Sequence, residues 1–356
     1  MAFVDQLESL LNDKSPDEFS GVVLVRQGSH DVFGAAYGYA SRPWRVENRL
    51  ETRFRVASVS KMFTAVATLQ LIDAGELTLE TRVASFLRLE DTAIPEEVTV
   101  YHLLTMTAGI ADWFDESGDV AANWEALRRA HPLYLLRRNA DYLPLFVNAP
   151  PVAPVGAGHR YSNSSYVLLG LVIEQASGLP YADYVRRNLF AQARMTRSDF
   201  VALDGVQGEV AEGYVPINDA QGARTGWQKN IYSATPDAAA DGGATSTAGD
   251  LCRFLTMLRE GRLLSRELTR EVLTPKVLED DAPYRGYTWK YGYGNLFLLD
   301  GEDQIARWGH TGEEEGVSCR LYHYPQKEVD VAILSNQSGG ASGVTWELHD
   351  LMMATL

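Results

Sequence analysis

Residues 54–75 read FRVASVSKMFTAVATLQLIDAG. Phe54 to Ala57 form a short strand-like lead, and Met62 to Ala74 is a long apolar stretch that stops at Gly75. That pattern predicts a buried helix with a glycine stop. Ser58 and Lys61 straddle the junction between strand and helix, and their spacing puts them on one helical face. A lysine amine one turn above a serine hydroxyl can take its proton if the amine is neutral part of the time. Burial and the positive end of the helix both favour the neutral form. The same helix start offers backbone N–H groups to a developing oxyanion. Taken alone, the Ser-x-x-Lys pair is weak, because both residues are common.

Working outward, Gly21 to Arg26 and Val32 to Tyr39 are strand-like runs separated by a Gly-Ser-His-Asp turn, which predicts a hairpin. At the N-terminus, Phe3, Leu7, Leu10 and Leu11 fall at helical spacing between acids, as in a docked amphipathic helix. This stretch lacks the basic and then apolar order of a secretory leader, so a cytoplasmic location is expected. From Leu77 to Asp241 the pattern is mostly helical with long loops. Tyr101 to Met106 starts one helix, and Tyr166 to Ala176 is another, closed by Ser177-Gly178. Ala149 to Gly158 is a proline-rich connector, and Leu203 to Ala240 reads as a long surface loop region. Asp250 to Leu258 is again helical. Strand-like runs follow at Gly292 to Leu298, Gln304 to Trp308, Val317 to Tyr324 and Val329 to Ser335, then a helix from Val344 to Thr355. This order predicts an α+β fold. The two ends of the chain, residues 1–76 and 241–356, would share one antiparallel sheet in a sandwich domain, with a mostly helical domain, residues 77–240, inserted between them.

The 356 residues are 46% hydrophobic and 22% charged, a globular composition. A net charge of −15 opposes binding to nucleic acid or an anionic membrane surface. Arg128-Arg129 and Arg137-Arg138 are too short to reverse that field and read as solvated helix faces. No apolar stretch approaches the roughly 20 residues of a membrane-spanning helix. Cys252 and Cys319 sit in apolar contexts and read as buried free thiols. The expected partner is therefore a small molecule, with no nucleic acid and no membrane. The chain could be a monomer or a homo-oligomer.

Two further motifs carry chemistry. In Tyr161-Ser162-Asn163 a phenol can relay a proton to a leaving group, and an amide can orient a substrate carbonyl. A rival occurrence, Tyr293-Gly294-Asn295, lies inside a strand pattern and suits a structural reading better. In His310-Thr311-Gly312, between two strand-like runs, a strand edge beside the serine could supply a second oxyanion donor, the backbone N–H of Glu313. The alternative for His310 is an ordinary histidine at a strand end.

The three motifs, in this order and setting, resemble those of the penicillin-recognising serine hydrolases. The chain is similar to their class C β-lactamase-like branch, which also holds carboxylesterases, D-aminopeptidases and D-Ala-D-Ala carboxypeptidases. Supporting stretches are Phe54 to Lys61, Leu103 to Gly109, Tyr161 to Tyr166 with Leu168-Leu169-Gly170, Gly242-Gly243 with Ser246-Thr247 and Asp250-Leu251, and Gly309 to Gly312. The resemblance runs from about residue 20 to the C-terminus. It implies a β-lactamase/transpeptidase-like fold with the site at the junction of sandwich and helical region. It further implies Ser58 as nucleophile, Lys61 as its base partner, Tyr161 as general base and acid, and Asn163 as a substrate ligand. The oxyanion hole would use the backbone N–H groups of Ser58 and Glu313, with His310 and Gly312 beside the substrate. No metal or organic cofactor is implied.

Departures from the family pattern bear on specificity. β-Lactamases and carboxypeptidases of this branch usually carry lysine where this chain has His310, a fixed cation for a substrate carboxylate. A histidine is mostly neutral near pH 7, which favours the esterase and aminopeptidase relatives. Met106 stands where many relatives have histidine. Glu313-Glu314-Glu315 is either a solvated turn or an acidic patch that attracts an ammonium group and repels carboxylates. Trp113, Trp227 and Tyr232 could be pocket walls or simple packing. Four readings follow: a carboxylesterase-like hydrolase of small esters or amides, a D-amino-acid amidase or aminopeptidase, a β-lactamase or peptidoglycan carboxypeptidase, and a non-enzymatic binding or assembly protein on the same fold. Intact Ser58, Lys61 and Tyr161 argue against the last.

Overall fold

A computed structural model of the chain describes residues 3–237, 239–280 and 282–356. The run Val22-Val23-Leu24-Val25 shows why its central sheet is covered on both sides. Val22 and Leu24 enter one core while Val23 and Val25 enter another. Successive side chains of a strand point to opposite faces, so a strand buried on both reads as continuously apolar. This strand is β1 (Gly21–Gln27), and it forms a hairpin with β2 (His30–Tyr37). The rest of the sheet comes from the far end of the chain: β3 (Val277–Leu278), β4 (Thr288–Tyr291), β5 (Leu296–Leu299), β6 (Ile305–Glu314), β7 (Val317–Tyr324) and β8 (Val329–Ser335). The spatial order is β3-β4-β5-β6-β7-β8-β1-β2, antiparallel throughout. Pairing of β1 with β8, Val23 opposite Ile333, joins the two ends of the chain.

The principal helices are α1 (Phe3–Asn12), α2 (Ser60–Asp73), α3 (Asn163–Ser177), α4 (Ala248–Arg259) and α5 (Ser342–Thr355). One sheet face is covered by α1 and α5, where Phe3, Leu7 and Leu11 meet Val344, Leu348 and Met352 over Val331 and Ile333. The other face, with Leu321, Ala332 and Leu334, joins the core built on α2, α4 and the helical region. Every residue of α2 from Ser60 to Leu69 is buried, which is why the stretch is apolar with hardly a break. Shorter helices, among them Val100–Leu104, Val120–Ala130 and Asn139–Phe146, surround α3. α3 ends as its sequence predicts, with Gly178 left-handed at φ 69°.

Four expectations change in detail. The run Gly292 to Leu298 is not one strand: residues 292–295 form the turn between β4 and β5, with Gly294 left-handed at φ 70°. That turn packs against α2, since a Cβ on Gly294 would stand 2.8 Å from the Lys61 carbonyl oxygen. Tyr293-Gly294-Asn295 is therefore structural. The region from Leu203 to Ala240 is not all loop, because Tyr214–Asn218 and Arg224–Lys229 pair as a hairpin. Of its strand residues only Tyr214 is buried, and Pro216 and Gly226 interrupt the runs, which erases the alternation that would have marked them. The helix expected from Tyr101 to Met106 stops at Leu104, ahead of Met106 in the left-handed region at φ 55°. Finally, His310 does not lie between two strands but inside β6, which runs on to Glu314.

Gly312 of β6 lies against the turn that carries Ser58. A Cβ there would stand 2.2 Å from the Val56 carbonyl oxygen and 3.3 Å from Ala57 Cβ. Its backbone is not left-handed, so it is space and not conformation that requires glycine. Gly312→Ala is expected to destabilise the fold by about 1–3 kcal/mol, the usual cost of overpacking. The readout is a lower guanidinium midpoint at unchanged slope. A wild-type midpoint would show that strand and turn are not packed this closely.

Candidate active site

The chain enters the site along Phe54–Arg55, which pairs with Thr245 and Ser246 of a short strand, and Val56 N–H donates to the Ala244 carbonyl at 2.9 Å. Ala57 then takes φ 44°, an uncommon conformation for a residue with a side chain. The turn Ala57–Val59 carries Ser58 directly into α2. One turn on, Lys61 is fully buried. Its Nζ lies 2.9 Å from Ser58 Oγ, 2.7 Å from Asn163 Oδ1 and 2.8 Å from the Asp241 carbonyl oxygen. Burial lowers its pKa, and the nearby carboxylates of Asp241, Glu116 and Asp112 only partly offset this. A neutral amine fits these contacts. In that form it can donate to Asn163 and Asp241 and keep its lone pair for the Ser58 hydroxyl proton.

The Tyr161 ring lies 4.9 Å from Lys61 Nζ, and its hydroxyl is close enough to Ser58 to be influenced by it. Burial holds that phenol well above the usual tyrosine range, and Glu116 adds to the effect. Asn163 opens α3. Its side chain is held at both ends, since Oδ1 accepts from Lys61 and Nδ2 donates to Glu116 Oε1 at 2.7 Å. Asp112 fastens the start of α3 by accepting the backbone N–H groups of Asn163 and Ser164 at 2.9 and 2.8 Å. Burial pushes its carboxyl up to about 7 despite these bonds. Ahead of Tyr161, Arg160 N–H donates to the Met106 carbonyl at 2.9 Å, so the left-handed Met106 helps to place the Tyr161 segment.

A cavity of about 350 Å³ opens on Ser58 and Asn163. Its lining includes the aromatic rings of Trp113, Phe114 and Trp124, and Trp113 Nε1 donates to Asp241 Oδ2 at 2.9 Å. The lining also carries the acids Glu116, Asp241 and Glu313 to Glu315. The three consecutive glutamates differ. Glu313 turns its carboxylate onto Arg320, Ser318 and Ser342. Glu314 pairs with the buried Arg55 at 3.2 Å. Glu315 is half-buried, and burial raises its carboxyl pKa.

Of the residues singled out in the sequence, Ser58, Lys61, Tyr161 and Asn163 come together here, and Gly312 and Glu313 stand on the neighbouring strand. His310 does not line the cavity. It is fully buried, with Nδ1 donating to the Thr311 carbonyl at 2.5 Å and Nε2 facing the Tyr291 hydroxyl at 3.3 Å. Burial, with Lys61 nearby, drives its pKa down to about 3, so it is neutral. Its ring centroid is 6.4 Å from that of Tyr161, which places it behind the phenol. Trp113 is a wall residue. Trp227 is not, lying instead between the guanidinium groups of Arg42 and Arg224 at 4.0 and 4.9 Å. Tyr232 is 84% exposed and also outside the cavity. Sequence reading missed Asp112, Glu116, Arg55 and Trp124. Asp241 directly precedes the Gly242-Gly243 pair, the one signal that could have found it. Among the described residues no helix is long and apolar enough to cross a membrane.

The chain is 27% identical over 336 residues to penicillin-binding protein 4* of Bacillus subtilis, covering 90% of this chain and 68% of that one. It is 25% identical to a D-aminopeptidase of Brucella anthropi, over 96% of this chain and 60% of the relative. The crystal structure of a penicillin-binding protein from Bacillus halodurans superposes with a TM-score of 0.87 at 35% identity, covering 97% of this chain and 99% of that one. The Beta-lactamase family model matches residues 12–351. The chain thus belongs to the beta-lactamase family, whose members related to it are serine hydrolases.

Proposed function

We propose that the protein hydrolyses small esters or amides through an acyl-enzyme on Ser58. The observation that carries this reading is the buried Lys61 amine, 2.9 Å from Ser58 Oγ, with both of its remaining hydrogen-bond directions taken by fixed acceptors. Ser58 Oγ attacks the substrate carbonyl carbon and its proton passes to Lys61. The oxyanion is met by the backbone N–H groups of Ser58 and Glu313. Tyr161, held protonated, gives its proton to the departing oxygen or nitrogen and is resupplied from the Lys61 ammonium. Water then attacks the ester on Ser58, with the same groups working in reverse, and the acid is released.

The cavity favours a carboxylesterase-like or D-amino-amide reading over a β-lactamase or carboxypeptidase one. A neutral, buried His310 offers no cation to a substrate carboxylate, and Arg55 is already paired with Glu314. Glu116 and Glu315 share the cavity lining with Trp113, Phe114 and Trp124, a combination that suits an ammonium group carrying an apolar substituent. The D-aminopeptidase relative accords with this second reading.

Ser58→Ala is expected to abolish both turnover of p-nitrophenyl butyrate and labelling by a fluorophosphonate. Lys61→Met and Tyr161→Phe should each lower kcat/KM by about a hundredfold or more. Retained activity in Ser58→Ala would remove the nucleophile from this assignment, and a wild type that takes no label would point to a binding role. The pH dependence has a definite sign. Since the working Lys61 is the neutral amine, kcat/KM should rise with pH through its lowered pKa and fall away below it, and Lys61→Met should lose that limb. Among substrates, D-alanine p-nitroanilide should be cleaved well ahead of nitrocefin, and Glu315→Gln should narrow the gap. Rapid nitrocefin turnover would overturn the charge argument.

A further inference from the structure

A second cavity, of about 330 Å³, shares Arg55 with the one at Ser58, but its lining includes neither Ser58 nor Lys61. Much of that lining comes from the loop 203–211, which is tied down at both ends. Leu203 N–H donates to the Pro236 carbonyl at 2.7 Å, Arg53 N–H to the Glu209 carbonyl at 2.8 Å, and Ala211 N–H to the Arg53 carbonyl at 2.9 Å. Leu203 and Val210 of this loop, with Ile231, line the cavity and are only half-buried. Val206, on the same lining, is fully exposed. The two hydrophobic cores include none of these four. Branched apolar side chains that gather around one hollow, outside any core, are the usual surroundings of a small-molecule site.

The polar groups on the lining are already engaged. Arg55 pairs with Glu314, and Lys229 with Glu212. Asn230 Nδ2 donates to the Glu315 carbonyl at 2.8 Å, and Ser335 Oγ to the Ser20 carbonyl at 2.8 Å. Asn336 Nδ2 donates to the carbonyls of Tyr39 and Glu212, while its Oδ1 accepts from Ser20. A charged ligand would lose its hydration and find each opposite charge committed, whereas an apolar one loses only unfavourable contact with water. We infer that this cavity is a second binding site, separate from the acyl-enzyme site, for a small, uncharged and largely apolar molecule.

Two fluorescent probes of one ring skeleton test this: uncharged N-phenyl-1-naphthylamine and anionic 8-anilinonaphthalene-1-sulfonate. The wild type should bind the neutral probe about tenfold or more tightly than the sulfonate, because the sulfonate must be desolvated without a partner. Leu203→Asp should weaken the neutral probe by about tenfold or more, the scale of exchanging a leucine contact for a charge. Val206→Asp, at a side chain already in solvent, should weaken it by about threefold, and it carries the test if thermal unfolding shows Leu203→Asp to be damaged. Trp124→Ala, which alters the cavity at Ser58, should leave the loss caused by either Asp variant unchanged within about twofold. Folded Asp variants should still turn over p-nitrophenyl butyrate. Equal affinity for the two probes would overturn the uncharged ligand class. Neutral-probe affinity unchanged in both Asp variants, or lost only in Trp124→Ala, would overturn the site, and loss of turnover in a folded Asp variant would overturn its separation from Ser58. A wild type that binds no probe but self-associates, and that Val206→Asp makes monomeric, would show these residues to be a contact between copies instead.

Discussion

The burial of one amine organises this molecule. Lys61 sits fully enclosed on a helix whose first ten residues are all buried. A lysine taken out of water loses much of its preference for the charged form, and each contact it keeps must be supplied by the protein. Three parts of the chain supply them: the turn carrying Ser58, the first residue of α3 and the carbonyl of Asp241. Those three are far apart in sequence. Each is fastened independently: Ser58 by the Gly312 contact and the pairing with Thr245 and Ser246, Asn163 by Asp112 and Glu116, and Asp241 by Trp113. The tightness of the junction between sheet and helical region follows from the need to enclose that amine.

The same low-dielectric setting separates the proton affinities around Ser58. Burial acts on Lys61 and Tyr161 in opposite chemical senses, moving the amine toward its neutral state and holding the phenol protonated. One group is thereby better prepared to accept a proton and the other to give one. His310 follows the rule that governs Lys61. It is a base kept neutral by burial, so the position that in many family members carries a cation here adds no positive field to the cavity.

Charge in the cavity is set mainly by pairing. Of three consecutive glutamates on the wall, Glu313 is committed to Arg320 and Glu314 to Arg55, while Glu315 has neither. A run that reads as one acidic patch is therefore three different environments. Strand geometry divides them, because neighbours along β6 alternate between its faces and the strand ends at Glu314.

The sequence by itself determined the buried helix after Ser58, the glycine-stopped α3, the hairpin at the N-terminus, the strands near the C-terminus and the four polar residues that meet at the site. These were legible because each is a local pattern: apolar continuity, a capping glycine, or a motif of a few residues. Tertiary structure alone decided the rest. Asp112, Glu116 and Arg55 owe their places to contacts with Ser164, Asn163 and Glu314, partners 52, 47 and 259 positions away, and no local spacing encodes such pairs. The break between β4 and β5 depends on how closely Gly294 approaches α2, and the hairpin at Tyr214–Lys229 has too few buried positions to mark itself. Where Trp227 and His310 point was likewise settled by packing, since an aromatic or imidazole ring is equally at home in a core, between cations or on a pocket wall until its neighbours are fixed.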